Sequence, residues 1–220
     1  MLKASTLKFL KDIKKNNNKP WFDKNRQHFE NAKADVLDFV QALIKEMSKF
    51  DPLLAHLNAK DCLFRINRDV RFSKDKSPYK SHLSAYFNKG GKKSNGAGYY
   101  IHLEPGKSFA AGGMWQPLPA DLARIRQEID YSFDGWKKMI NGSNFKKHFP
   151  SGVRAEGALT RPPKGYEETN PAIHFIKMKN FIVSSSFSDA EVQGKSFIKE
   201  ATAAFKAMSP LIAFLNTAIE

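Results

Sequence analysis

The residues best suited to chemistry lie together in the stretch Phe64-Arg65-Ile66-Asn67-Arg68-Asp69-Val70-Arg71-Phe72-Ser73-Lys74-Asp75-Lys76-Ser77-Pro78-Tyr79-Lys80. Read as an extended chain, its first part puts Arg65, Asn67, Asp69 and Arg71 on one face and Phe64, Ile66, Val70 and Phe72 on the other. Arg68 interrupts the alternation and predicts a bulge or turn. Guanidinium forks at alternating positions suit bidentate contact with a phosphate or carboxylate, and an aspartate between two arginines can orient one of them. The candidate anion site therefore comprises Arg65, Arg68, Asp69, Arg71, Lys76, Tyr79 and Lys80, with the Tyr79 ring as a surface on which a base can stack. If the site is catalytic instead, Asp69 is the candidate acid or base and the arginines stabilise charge. The same residues also fit a scaffold in which an internal ion-pair network pins the segment.

Other patterns are weaker. Ser73-Lys74-Asp75-Lys76 and Ser77-Pro78-Tyr79-Lys80 both match Ser-x-x-Lys, but no Ser-Asp-Asn or Lys-Thr-Gly follows, and Pro78 fits a simple turn. There is no Gly-x-Ser-x-Gly elbow, Walker loop or dinucleotide glycine fingerprint. Gly112-Gly113 reads as a place where one backbone closely approaches another. None of the six histidines has His-x-x-x-His spacing. His82 and His102 can approach across a hairpin, but without a third ligand in view neither a metal nor a cofactor is expected. The single cysteine, Cys62, rules out an internal disulfide framework and any multi-cysteine cluster, and its alternation with Phe64 and Ile66 marks it as a small buried hydrophobe. Trp21, Tyr79, Tyr99, Trp115 and Tyr166 lie beside turns or basic residues, unlike the many phenylalanines, which belong to the core. For Trp21 a structural role beside Pro20 is the stronger reading.

Periodicity supplies the elements that must position these groups. Ser5 is expected to cap a short helix with Leu7, Leu10 and Ile13 on one face, ending at Asn16-Asn17-Asn18. Pro20 then opens a long helix over Trp21–Phe50, which carries Phe22, Phe29, Val36, Val40, Leu43, Ile44 and Met47 at helical spacing. From Cys62 the period becomes two. Cys62–Ile66, Leu83–Phe87, Tyr99–Leu103, Ser108–Gly113 and Phe181–Phe187 are expected to form one mostly antiparallel sheet, with hairpin connections at Asn88–Gly98 and Glu104–Lys107. Further helices are expected after Pro119, around Trp136–Ile140, after Asn170-Pro171 and after Ser188, with Pro210 opening a final one. The fold class is α+β: a single domain, residues 1–220, in which helices cover a mostly antiparallel sheet.

Charge is unevenly spread. The 220 residues carry 36 Lys and Arg against 22 Asp and Glu, a net of +14. Between Arg65 and Lys93, nine basic residues face only Asp69 and Asp75, a net of +7. Such a concentration attracts anions, whether a phosphate-bearing ligand, nucleic acid or an acidic partner. The longest apolar run, Leu211-Ile212-Ala213-Phe214-Leu215, is far shorter than the roughly 20 residues of a membrane span, and the first residues lack a signal-peptide core. A cytoplasmic protein without a membrane partner is the expectation.

Trp21-Phe22 with Arg26, and the run Arg68 to Lys80, together resemble the signature of a family of bacterial and fungal proteins catalogued as domain of unknown function 2461. Gly98-Tyr-Tyr-Ile-His-Leu103, Gly112-Gly113, Leu122-Ala-Arg-Ile-Arg126 and Arg161-Pro-Pro-Lys-Gly-Tyr166 extend the resemblance over nearly the whole chain. It implies a single-domain architecture shared with that family and brings no activity or catalytic residue with it. Three functions remain open: binding of an anionic ligand, catalysis on an anionic substrate through Asp69, or a scaffold role.

Overall fold

In the computed structural model, which describes residues 1–92, 94–154 and 157–220, four strands form an antiparallel sheet in the order β1-β2-β3-β4. They are β1 (Leu83–Phe87), β2 (Gly98–Leu103), β3 (Ser108–Met114) and β4 (Phe181–Phe187), each within a residue or so of its expected span. Gly106, at φ +75°, turns the tight connection between β2 and β3, a conformation that costs glycine nothing. Lys93, counted above in the basic stretch and in the longer hairpin loop, lies outside the described residues.

Alternation gives the sheet two unlike faces. Leu83, Ala85, Phe87, Tyr99, Ile101 and Leu103 are buried on one. His82, Tyr86, Tyr100, His102 and Glu104 belong to the other and are half-buried. That difference is usual for antiparallel strands, which need only one face in a core. Tyr99 is 1% exposed, so it is a core residue and not a free aromatic beside a loop.

By its contacts the chain divides into two compact units: Met1–Lys92 with Tyr100–Ala110 and Ser186–Ala203, and Lys93–Tyr99 with Ala111–Ser185 and Ala204–Glu220. In the first, α1 (Ala4–Lys15) and α3 (Arg26–Met47) pack together, and α3 and α4 (Ala59–Cys62) pack on β1. The α1 helix buries Leu7, Leu10 and Ile13 as expected but starts one residue before Ser5, with Lys3 as N-cap. Buried Asp35 of α3 explains this start, because it accepts hydrogen bonds from the Lys3 amide and the Thr6 hydroxyl. Phe39 stacks on Phe197, at 4.8 Å between ring centroids.

The expected Trp21–Phe50 helix is broken. Lys19–Lys24 forms a separate α2, and Asn25 (φ −107°, ψ 17°) both ends it and precedes α3. The Asn25 side chain donates to the Trp21 carbonyl at 2.9 Å, a local bond that competes with helix continuation. The long N-terminal helix survives as the 22 residues of α3.

Cys62–Ile66 is not a strand of the sheet. Asn58 caps α4 through its side chain, and the chain beyond α4 touches its neighbours by two isolated bridges, Leu63 with Ala85 and Asn67 with Tyr79. The segment after Asn67 is therefore a loop closed on itself, and Phe72, expected on an apolar face, is 97% exposed at its tip.

In the second unit, Trp136 of α6 (Phe133–Ile140) is fully buried among Phe175 of α8 (Ile173–Ile176), Phe181 and Phe214. Around it lie α5 (Pro119–Tyr131), which buries Ile125 and Ile129, and α7 (Ser143–His148). Back in the first unit, Ser188 caps the short α9 (Asp189–Gln193) in a reciprocal box with Glu191, as its sequence predicts.

Pro210 does not open a helix; it lies inside α10 (Phe197–Ile219). A proline cannot donate to the carbonyl four residues back, but the Ser209 hydroxyl donates to that Lys206 carbonyl at 2.9 Å and satisfies it. By length and composition α10 is apolar enough to cross a membrane. Here its Phe197, Ala201, Phe205, Met208, Leu211 and Leu215 stripe is buried, as in the central helix of a folded core.

Candidate functional site

Two heptad-spaced rows on consecutive helices build the wall of a cavity of about 450 Å³ in the first unit. Lys19, Arg26 and Lys33 form one row and Phe22 and Phe29 the other; within α3 a spacing of seven keeps Arg26 and Lys33 on one side, while Lys19 and Phe22 reach the cavity from the separate α2. Opposite them the cavity is lined by Phe64, Arg65, Ile66, Asn67 and Tyr79.

Asp23 sits between Lys19 and Arg26, taking a contact of 2.6 Å from each. Those hydrogen bonds, Lys19 first, hold its carboxyl below the usual carboxylate range, and in return the Lys19 ammonium is raised. The Arg26 guanidinium lies 5.5 Å from the Phe22 ring centre and the Lys33 ammonium 5.8 Å from that of Phe29. Arg65 is exposed and carries no ion pair among the described residues. Lys33 pairs with Glu30 at 3.4 Å, so four cations face two carboxylates, and the surplus over an aromatic wall can receive an anion bearing a flat ring.

Of the seven candidate anion-site residues, Arg65 and Tyr79 line this cavity. Arg68 turns into its own loop, where it donates to Asp75 at 2.6 Å and to the Ser77 carbonyl at 2.9 Å. Hydrogen bonds from Ser77, then from Arg68, pull the Asp75 carboxyl down to about 2. Arg71 is gripped by Asp69 through both of its carboxylate oxygens, at 3.0 and 2.7 Å, so Asp69 does orient one guanidinium. Arg71 holds the Asp69 carboxyl below its ordinary value, the wrong direction for a general acid near neutrality. Lys76 donates to the Val70 carbonyl at 3.0 Å. Lys80 lies 5.5 Å over the Phe64 ring, and burial lowers its pKa.

Tyr79 is 7% exposed and stacks face to face on Phe22, 4.1 Å between centroids. Its backbone is held from both sides by the Asn17 amide at 2.8 and 3.0 Å. Its ring is thus wall, not a platform for a base. Trp21 stacks on Phe9 at 6.2 Å, which is the structural role. Lys19 and Lys33 were missed, and Arg26, named only in the family signature, was not assigned to the site; Arg26 and Lys33, seven apart on one helix, were the available signal.

A second cluster occupies the half-buried face of the sheet, where His82 and His102 lie 4.2 Å apart by ring centroids. The third partner absent from the sequence reading is Glu104, whose Oε2 is 3.2 Å from His102 Nε2. Burial, then the neighbouring His102, lowers the His82 pKa to about 4, and burial also lowers that of His102. Cys62 is 2% exposed, with its thiol pushed up to about 11 by burial, so it is no nucleophile near neutral pH.

An α+β chain with a basic, aromatic-walled cavity is the class that fold and site define. The family of conserved hypothetical proteins named DUF2461 matches residues 5–214, and the chain belongs to it. No curated protein and no solved structure matches the chain.

Proposed function

We propose that this protein binds a nucleotide-sized, phosphate-bearing ligand in the cavity between α2–α3 and the Phe64–Asn67 segment. The observation that carries this reading is the convergence of Lys19, Arg26, Lys33 and Arg65 on a cavity walled by Phe22, Phe29 and Phe64. Guanidinium forks supply charge-assisted bonds to phosphate oxygens, the rings supply stacking surface, and about 450 Å³ lies within the range of small-ligand pockets. The internal pairing of Arg68 and Arg71 favours a structural role for the loop that holds them. Catalysis through Asp69 draws no support from a carboxylate clamped by Arg71 outside the cavity.

Titration with a nucleoside triphosphate and with a single-stranded oligonucleotide, at low and moderate salt, tests the proposal. Arg65→Ala should weaken nucleotide binding by roughly tenfold or more, the worth of a hydrogen bond to a charged group. Arg71→Ala should leave it within about twofold, because that guanidinium is already paired outside the cavity. The reverse ranking, or binding of oligonucleotide alone, would place the ligand on the open loop and sink the cavity reading.

A further inference from the structure

We propose that His82, His102 and Glu104 form a binding site for a divalent first-row transition-metal ion, separate from the anion cavity and independent of its reading. One ligand atom from each lies within 4.8 Å of the others. Donors bound to one ion at about 2.0–2.1 Å stand about 2.8–3.4 Å apart at octahedral or tetrahedral angles. His102 Nε2 and Glu104 Oε2, at 3.2 Å, already have that spacing, and a small side-chain movement brings in His82.

Strand geometry makes the arrangement. His102 and Glu104 are two residues apart and share a face of β2 and its extension, while His82 immediately precedes the neighbouring β1. The surrounding groups orient the ligands as outer partners do in metal sites. Tyr100 Oη engages His102 Nδ1 at 3.0 Å, which leaves Nε2 to coordinate. The Phe109 ring lies nearly parallel to that imidazole, at 4.8 Å and 13°. Lys14 and Ser81 both donate to Glu104 Oε1, at 3.2 and 3.4 Å, leaving Oε2 for the ion.

Two imidazoles with one carboxylate match Zn²⁺, Fe²⁺ or Mn²⁺ better than Ca²⁺ or Mg²⁺, which favour oxygen-only sets. Three protein ligands also leave a position open for water or a substrate atom.

The full chain, stripped with a chelator, is titrated with Zn²⁺ by calorimetry and with Co²⁺ by visible absorption. One equivalent should bind, Mg²⁺ should not compete, and Co²⁺ should give the intense spectrum of a nitrogen-ligated site of low coordination number. His82→Ala and Glu104→Gln should each weaken binding at least 10–100-fold, roughly the loss seen even for outer partners, and Tyr100→Phe by about tenfold. If a ligand variant fails to fold, the Tyr100→Phe result and the Co²⁺ spectrum of the unsubstituted chain decide. The proposal fails if the parent shows no saturable binding, if the Co²⁺ spectrum is that of the hydrated ion, or if folded His82→Ala and Glu104→Gln variants bind as tightly as the parent.

Discussion

Arg65 and Arg68 are three residues apart, yet one faces a cavity and the other closes a loop. At the residue scale, then, charge count and charge availability are separate quantities, and pairing decides between them. Backbone constraint is equally local. Gly113 has φ +127°, and a Cβ there would collide with the Phe181 carbonyl, whereas at neighbouring Gly112 it would meet the flexible end of Met208. Gly113→Ala should therefore cost about 3 kcal/mol or more, combining backbone strain with displacement of a strand. Gly112→Ala should cost about 1–2 kcal/mol, the usual penalty of overpacking against a movable side chain. Denaturant melts of the two variants check this, and equal losses would contradict it. The pair of glycines was legible in the sequence as a close backbone approach, and Gly113 is where that approach occurs.

Among the elements, the loop from Asn67 to Tyr79 has the clearest internal logic. Its ends are joined by a bridge, and Asp75 gathers the Ser77 amide, the Ser77 hydroxyl and Arg68. A carboxyl whose folded pKa is depressed stabilises the fold fully above its ordinary value, here 3.8, and loses that contribution as pH falls through about 2. The loop should thus be insensitive to pH near neutrality and loosen only in that acid window. Followed by carboxyl-carbon NMR, Asp75 should titrate near 2 and move back toward 3.8 in Ser77→Ala, with a smaller return in Arg68→Ala. A parent midpoint already near 3.8 would refute the assignment.

The four true strands were readable because alternation and turn residues agreed. Cys62–Ile66 alternates just as well but is preceded by an Asn58-capped turn of helix and pairs through single bridges, which no local pattern reveals. The breaks at Asn25 and the continuity through Pro210 escaped for a related reason. Each depends on one side-chain hydrogen bond that competes with, or replaces, a backbone one.

Over the whole molecule, a net charge of +14 favours encounter with anions, but holding one takes several cations converging on one cavity, of which Arg65 carries no ion pair among the described residues. The site was half legible. Arg65 and Tyr79 were found from the dense basic segment, while Lys19, Arg26 and Lys33 come from helices that sequence reasoning treated as core. Glu104 was likewise overlooked, since two histidines 20 residues apart acquire a third partner only when β1 and β2 pair. The proposed anion site in the α2–α3 cavity is tested most directly by a crystal structure determined with a nucleoside monophosphate. Phosphate density is expected within hydrogen-bond distance of Arg65 and Arg26, with the base against the half-buried Phe29 and Phe64 rings. Density beside Arg71 or Lys76 on the exposed loop, with the cavity empty, would contradict it.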